Sequence, residues 1–127
     1  MINNKEVYDQ GLNLLNQLHG GHAGSELIEG LKSICPDYIT MTIEWAFGTI
    51  LNRDGLDLKT RELAIIAACV TNGNAMPQLR AHIEAAFNVG ATKQEVIEII
   101  LQTGLYSGFP AVTNAFYAVK DLIAANK

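Results

Sequence analysis

The stretch LDLKTRELAIIAACVTNGNAMPQLRAHIEAAFNVG, residues 56–90, limits the fold more than any other part of the chain. Arg61 and Glu62 stand at the start of its first helix, and an unbroken run of eight apolar residues, 63–70, follows them. An apolar run of that length after charged residues predicts a helix buried on nearly all sides. Asn72-Gly73-Asn74 predicts its end, because Gly and Asn tolerate the left-handed conformation. A second helix follows and carries a lone histidine, His82, among apolar residues.

Apolar residues recur at helical spacing through the rest of the chain, and no stretch alternates convincingly as a strand would. The pattern predicts an all-α, single-domain chain of six or seven helices over residues 1–127. Asp57 is expected to cap the first helix of the central stretch and Ser25 to cap a short second helix. Thr92 and Glu95 form a capping-box pattern. The first three expected helices cover about 4–18, 26–34 and 36–51, and the fourth begins after Asp57 and ends at Asn72-Gly73-Asn74. Pro77 can begin the fifth helix, with Gly90 just beyond its end. The sixth begins after Thr92 and is broken at residues 108–110, and the last uses apolar residues from Val112 to Ile123.

The charge balance restricts the classes of partner. Charged residues make up 17% of the chain, whereas about a quarter is usual, so we expect further surface to be covered in a homo-oligomer. The net charge is −4 and no basic cluster is present, so a nucleic-acid partner is not expected. The sequence contains no apolar run long enough for a membrane span and no pattern typical of an export signal. A cytoplasmic location, without membrane association, is the resulting expectation.

His82 is the strongest candidate for chemistry. On an apolar helix face it is either a core residue with one hydrogen bond or a general acid or base that a second group orients. Glu62 and Glu44 are the candidates for that second group. Glu44 follows Ile43 on the third helix, where it is either a solvated edge residue or a carboxylate in a partly apolar pocket.

Two further residues of the central stretch carry open alternatives. Arg61 is either a solvated residue at a helix start or, together with backbone N–H groups, an anchor for a substrate carboxylate. Cys69 lies seven positions after Glu62 on nearly the same face, and a buried, inert thiol is the favoured interpretation. Cys35 and Cys69 form no C-x-x-C pattern, and a structural disulfide is not expected. The H-x-x-H pair His19 and His22 favours a flexible connection over a metal site.

Three elements occur in order along the chain: LDLKTREL, then HIEAAFNVGATKQEVIEII, then YSGFP. Together they resemble the carboxymuconolactone decarboxylase family, from about Asp37 to Val119. The resemblance implies an all-helical fold, with residues 37–125 as the family core and the helices in 1–35 as accessory. It also implies a ring-like homohexamer, often described as a trimer of dimers.

The activity that the resemblance implies is decarboxylation of 4-carboxymuconolactone in aromatic-compound catabolism, without a metal or another cofactor. Loss of CO₂ pushes electrons onto the lactone carbonyl, and a proton must then reach carbon. The resemblance suggests that His82 transfers the proton or polarises the lactone, that Glu62 orients His82, and that Arg61 holds a substrate carboxylate. Glu44 is a weaker catalytic candidate.

Two comparisons within this resemblance refine the expectation. The wider superfamily includes alkyl-hydroperoxide-reductase D-type proteins, whose C-x-x-C pair corresponds to Ala75 and Gln78 here, so peroxidase chemistry through a cysteine pair is not expected. Many family members place an acid after the glycine that matches Gly48, and this chain has Thr49. Glu44, one turn earlier, is the candidate to replace that acid. The alternatives are a redox role for a lone cysteine and a non-catalytic, oligomeric binding protein.

Overall fold

A computed structural model describes residues 4–126 of the chain. This part of the chain is all-α, as predicted, with seven α-helices, one of which continues directly into a π-helical segment. It divides into two compact units, one up to Leu56 and the other from Asp57 onward. No helix in this range is long and apolar enough to cross a membrane. The helices are α1 Lys5–His19, α2 Ala23–Leu31, α3 Pro36–Met41 with the π segment Thr42–Ile50, α4 Leu58–Asn72, α5 Met76–Asn88, α6 Lys93–Ser107 and α7 Phe109–Ala125.

The first unit is built on a close crossing of α1 and the π segment. A Cβ atom on Gly48 would lie 2.6 Å from the carbonyl oxygen of Val7, and one on Gly11 would lie 2.9 Å from the backbone nitrogen of Gly48. The two glycines therefore allow the two backbones to touch. In the same unit, the His19 and Phe47 rings form a T-shaped contact with centroids 5.9 Å apart. The buried apolar residues of this unit are Leu14, Leu15, Leu18, Ile39, Ile43, Phe47 and Leu51.

Two predictions for the first unit were wrong. Ser25 does not cap α2, since that helix begins at Ala23. The backbone N–H of Gly24 instead donates to the side-chain oxygen of Asn16 on α1, 2.8 Å away, so a distant residue satisfies a donor of the first turn. The apolar spacing also predicts that Met41 and Trp45 broaden the buried face of the third helix, but both side chains are exposed.

The second unit packs α4, α5, α6 and α7 around one apolar core. The predicted end of α4 is confirmed at Gly73, which has a φ of 74°. The predicted start of α6 is confirmed by its capping box. There the Thr92 hydroxyl accepts from the Glu95 N–H at 3.0 Å, and the Glu95 carboxylate accepts from the Thr92 N–H at 2.9 Å. Asp57 occupies the predicted cap position of α4, but its side chain makes no capping hydrogen bond.

The prediction that α4 is buried on nearly all sides was wrong. Ala64 and Ala68 are exposed on one face, whereas Ile66, Cys69 and Val70 are buried on the other. Alanine counts as an apolar residue in the sequence, but its side chain exposes little apolar surface. A helix face made of alanines can therefore be exposed to water. Only the inner face of this helix contributes to the core.

Candidate functional site

A buried acid and a partly exposed histidine meet where α4 and α5 pack together. Glu62 lies in the second turn of α4, and His82 lies in the middle of α5. The His82 Nδ1 atom is 2.6 Å from Glu62 Oε2. The short turn between the two helices makes them antiparallel neighbours, which turns the inward faces that carry these residues toward each other.

The two side chains differ in their access to solvent. Glu62 is 0% exposed, whereas the His82 side chain is 19% exposed. A buried carboxylate is costly unless it is paired and hydrogen-bonded, and here the imidazole supplies that pairing. The second carboxylate oxygen, Oε1, is buried and accepts no hydrogen bond from residues 4–126.

The hydrogen bond between Glu62 and His82 determines which tautomer of the imidazole is present. An ionised carboxylate only accepts hydrogen bonds, so Nδ1–H of His82 is the donor. That bond fixes the tautomer and the orientation of the ring. Because the ring is not sealed in the core, the pair is suited to general acid–base chemistry.

Arg61 and Cys69, the other candidate residues of the central stretch, lie on the same helix as Glu62. Arg61 directly precedes Glu62 and is half-buried in the first turns of α4, and its role as a carboxylate anchor remains a prediction. Cys69 is buried on the same helix. Burial raises the pKa of the Cys69 thiol, and the negative charge of Glu62 raises it further. A thiol of this kind stays protonated, which disfavours the redox alternative.

Glu44 lies in the unit that ends at Leu56, whereas Glu62 and His82 lie in the other unit. Its membership of the same site therefore remains a prediction. Within its own unit, Glu44 is half-buried and lines a pocket of about 240 Å³. The other lining residues are Asn4, Val7, Trp45 and Thr49.

The π-helical segment that carries Glu44 was not predicted. Its backbone repeat is one residue longer than that of an α-helix, and the Thr49 hydroxyl donates to the backbone carbonyl of Glu44, five positions earlier, at 2.9 Å. Such segments are frequent at functional sites. The glycines at positions 11 and 48 signal a close helix crossing, but apolar spacing carries no signal for the altered backbone repeat.

The comparisons with known proteins agree with this architecture. The Carboxymuconolactone decarboxylase family matches residues 36–121. The chain is 32% identical to the 4-carboxymuconolactone decarboxylase of Acinetobacter baylyi, over 95% of this chain and 90% of that protein. It is 36% identical to an uncharacterized 15.0 kDa protein of Paracoccus denitrificans, over 76% and 73% of the two chains. It is 29% identical to the nitrosuccinic acid decarboxylase npaB of Metarhizium robertsii, over 94% and 82%.

Two of these three relatives are named as decarboxylases, which supports decarboxylase-like chemistry of the carboxy-lyase kind. The matched range runs from the start of α3 into α7 and includes both members of the Glu62–His82 pair. With a family match over more than half of its length and a relative aligned along nearly all of it, the chain belongs to the carboxymuconolactone decarboxylase family.

Proposed function

We propose that this protein decarboxylates a small organic acid by acid–base catalysis, with His82 as the proton-transfer residue and Glu62 as its orienting partner. The observation that carries the proposal is the 2.6 Å contact between a fully buried carboxylate and a partly exposed imidazole. A pair that served packing alone would gain little from burying a charge, because apolar residues of similar size are often as stable or more so.

The names of two relatives narrow the substrate class. 4-Carboxymuconolactone and nitrosuccinic acid are both dicarboxylic acids, and each carries a group that accepts electrons from the carbon that bears a carboxylate. That group is an unsaturated lactone in the first and a nitro group in the second. We therefore propose a small dicarboxylate with an electron-accepting group as the substrate of this chain.

The reaction can be written with these groups. The bond between the carboxylate and its carbon breaks, CO₂ leaves, and the electron pair moves into the lactone or nitro group. A protonated His82 then donates a proton to a carbon of the resulting delocalised anion, which is the carbon next to the carbonyl in the lactone and the carbon beside the nitro group in the nitro acid, and His82 becomes neutral. Solvent returns the proton to His82 before the next turnover. The protein supplies orientation and one proton, and the substrate's own acceptor group holds the electron pair.

Arg61 is the proposed anchor of the carboxylate that the reaction retains. A guanidinium binds a carboxylate in a bidentate manner, which fixes its orientation as well as its position. Its place in the first turns of α4 adds the positive end of the helix dipole to the same anion. Glu44 is proposed as a second acid, replacing the acid that many family members have after the glycine that matches Gly48.

We also propose that the protein acts as a homo-oligomer. Three large apolar side chains around the α6–α7 junction stand in solvent: Leu105 is 80% exposed, Tyr106 is 99% exposed and Phe109 is 67% exposed. A cluster of that kind marks an interaction surface more often than free surface. Light scattering on the wild type and on a Leu105→Ser/Tyr106→Ser variant tests this proposal, and a wild type that stays monomeric at assay concentration contradicts it.

The activity is tested by measuring CO₂ release from 4-carboxymuconolactone and from nitrosuccinic acid. We expect the wild type to release CO₂ from one of them and His82→Asn to lose at least about 100-fold in rate. His22→Asn is the matched control, since His22 is exposed at the start of α2 and should retain full activity. No release from either acid contradicts the substrate class, and an active His82→Asn variant contradicts the role of His82.

A further inference from the structure

A groove on the second unit, formed by α6 and α7, shares no residue with the Glu62–His82 pair. It consists of two adjoining depressions of about 280 and 300 Å³, both bordered by Phe116 and Lys120. Its other lining residues are Thr113, Tyr117, Lys93, Ile97, Ile123 and Ala124. We call it the α6–α7 groove.

The groove follows one stripe of α7. Its residues on that helix recur at positions 113, 116, 117, 120, 123 and 124, which is the spacing of a single helix face. At 1.5 Å of rise per residue the stripe is about 16 Å long. Its floor is apolar, through Ile97, Phe116 and Ile123, so it suits an extended apolar ligand.

Two lysines border this apolar floor, and the acid nearest to each of them in sequence pairs with another cation. Glu95 pairs with Lys59 at 3.0 Å, and Asp121 binds Arg80 through both carboxylate oxygens. Glu95 and Asp121 are the acids nearest in sequence to Lys93 and Lys120, and each is already paired with another cation.

Lys120 is positioned to meet an anion within the groove. Its Nζ atom lies 5.2 Å from the centroid of the Tyr117 ring, within the range of a cation–π contact. Lys93 begins α6, where the helix dipole also favours negative charge. The chain carries thirteen acidic against nine basic residues, so a groove edged by two lysines differs in sign from the protein as a whole.

We propose that the α6–α7 groove binds the free carboxylate of a medium-chain fatty acid, with the acyl chain along the apolar floor and the carboxylate against Lys120 or Lys93. The apolar stripe accounts for the chain, and the two ammonium groups account for the acid. Neither feature contributes to the proposed decarboxylation, which uses α4 and α5, so binding in the groove is separate from turnover.

Dodecanoate, below its critical micelle concentration, is the probe, and titration calorimetry on the full chain is the measurement. We expect saturable binding of one dodecanoate per chain, and weaker binding of dodecyl maltoside, which has the same chain and no charge. Two exposed charge contacts contribute about 0.2–1 kcal/mol each, so Lys93→Gln/Lys120→Gln should lower dodecanoate affinity by about 2- to 30-fold.

Lys5→Gln/Lys32→Gln is the matched control. These two lysines are exposed on the first unit, where they pair with Asp9 and Glu29, and their loss should leave dodecanoate affinity unchanged. The proposal is overturned if no saturable binding is seen, if both double variants bind equally well, or if dodecyl maltoside binds as tightly as dodecanoate. It is also overturned if Lys93→Gln/Lys120→Gln dissociates an oligomer that does not bind dodecanoate, because a second copy then occupies the groove.

Discussion

Replacement of Glu62 by glutamine separates a catalytic role of the Glu62–His82 pair from a structural one. Glutamine keeps the size and shape of the side chain, and its amide oxygen can still accept the hydrogen bond from Nδ1 of His82. What it removes is the buried negative charge. We expect Glu62→Gln to keep or gain stability while it loses activity.

The magnitude follows from the contacts of the carboxylate. A hydrogen bond to a charged group contributes about 1.5–3 kcal/mol and one between neutral groups about 0.5–1.5 kcal/mol, so the variant loses about 1 kcal/mol at Oε2. At Oε1, a buried oxygen without a described hydrogen bond becomes a buried amide group in the same place, and the two costs nearly cancel. Burial of a charge carries a desolvation penalty of several kcal/mol, and the variant no longer has part of that penalty. The free energy of unfolding should therefore be unchanged or higher by up to about 2 kcal/mol.

The activity should move in the opposite direction. Without the carboxylate, the imidazolium loses its charge partner, so we expect CO₂ release to fall about 100-fold, at the lower end of what acid–base catalysis contributes. Denaturant unfolding and CO₂ release are measured on the same preparations. Glu84→Gln, on the exposed face of α5, is the control and should change neither quantity. A Glu62→Gln variant that is destabilised by more than about 2 kcal/mol, or that keeps its full rate, refutes this reasoning.

Three further predictions concern other parts of the described chain. Iodoacetamide at neutral pH should label the exposed Cys35 and spare Cys69, whose pKa is raised by burial and by the nearby Glu62; mass spectrometry after native labelling checks this, and equal labelling contradicts it. Asp121→Asn removes a carboxylate whose pKa the α5 arginine lowers to about 2, so wild type should exceed the variant in urea stability at pH 6 and lose that advantage as the pH falls from about 4 to 2. An advantage that persists at pH 2 rejects the ion pair as its source. Gly48→Ala places a Cβ atom 2.6 Å from a backbone oxygen of α1 and should cost about 1–3 kcal/mol, whereas Gly21→Ala meets no atom within 4 Å and should be neutral or stabilising in the same denaturation assay.

Helix positions could be predicted wherever the signal is local. The end of α4 at Gly73 and the start of α6 at Thr92 depend on a few adjacent residues, and the structure confirms both. The start of α2 could not be predicted, because it depends on Asn16 of another helix. The π segment could not be predicted either, because apolar spacing carries no signal for its altered backbone repeat.

The pairing of Glu62 with His82 could be predicted, because both residues lie on inward faces of two helices joined by a short turn. Sequence spacing identifies such faces to within a turn, and two antiparallel helices then bring them together. Spacing could not tell which oxygen of Glu62 bonds to which ring nitrogen, or that 19% of the histidine side chain remains exposed. Those details depend on side-chain rotamers and on the packing of the neighbouring helices.

The substitution at position 49 leads to the last prediction. Thr49 and Glu44 line the same pocket, and the Thr49 hydroxyl is bonded to the Glu44 backbone, so an acid at either position would place its carboxylate in one small region. If Glu44 replaces the acid that many family members carry at position 49, Glu44→Gln should lower CO₂ release at least about 10-fold, and Glu44→Gln/Thr49→Glu should restore part of that rate. Asp37→Gln, at an exposed acid in the first turn of α3, is the control for loss of charge. An unchanged rate in Glu44→Gln would remove Glu44 from the reaction and leave proton transfer to the Glu62–His82 pair alone.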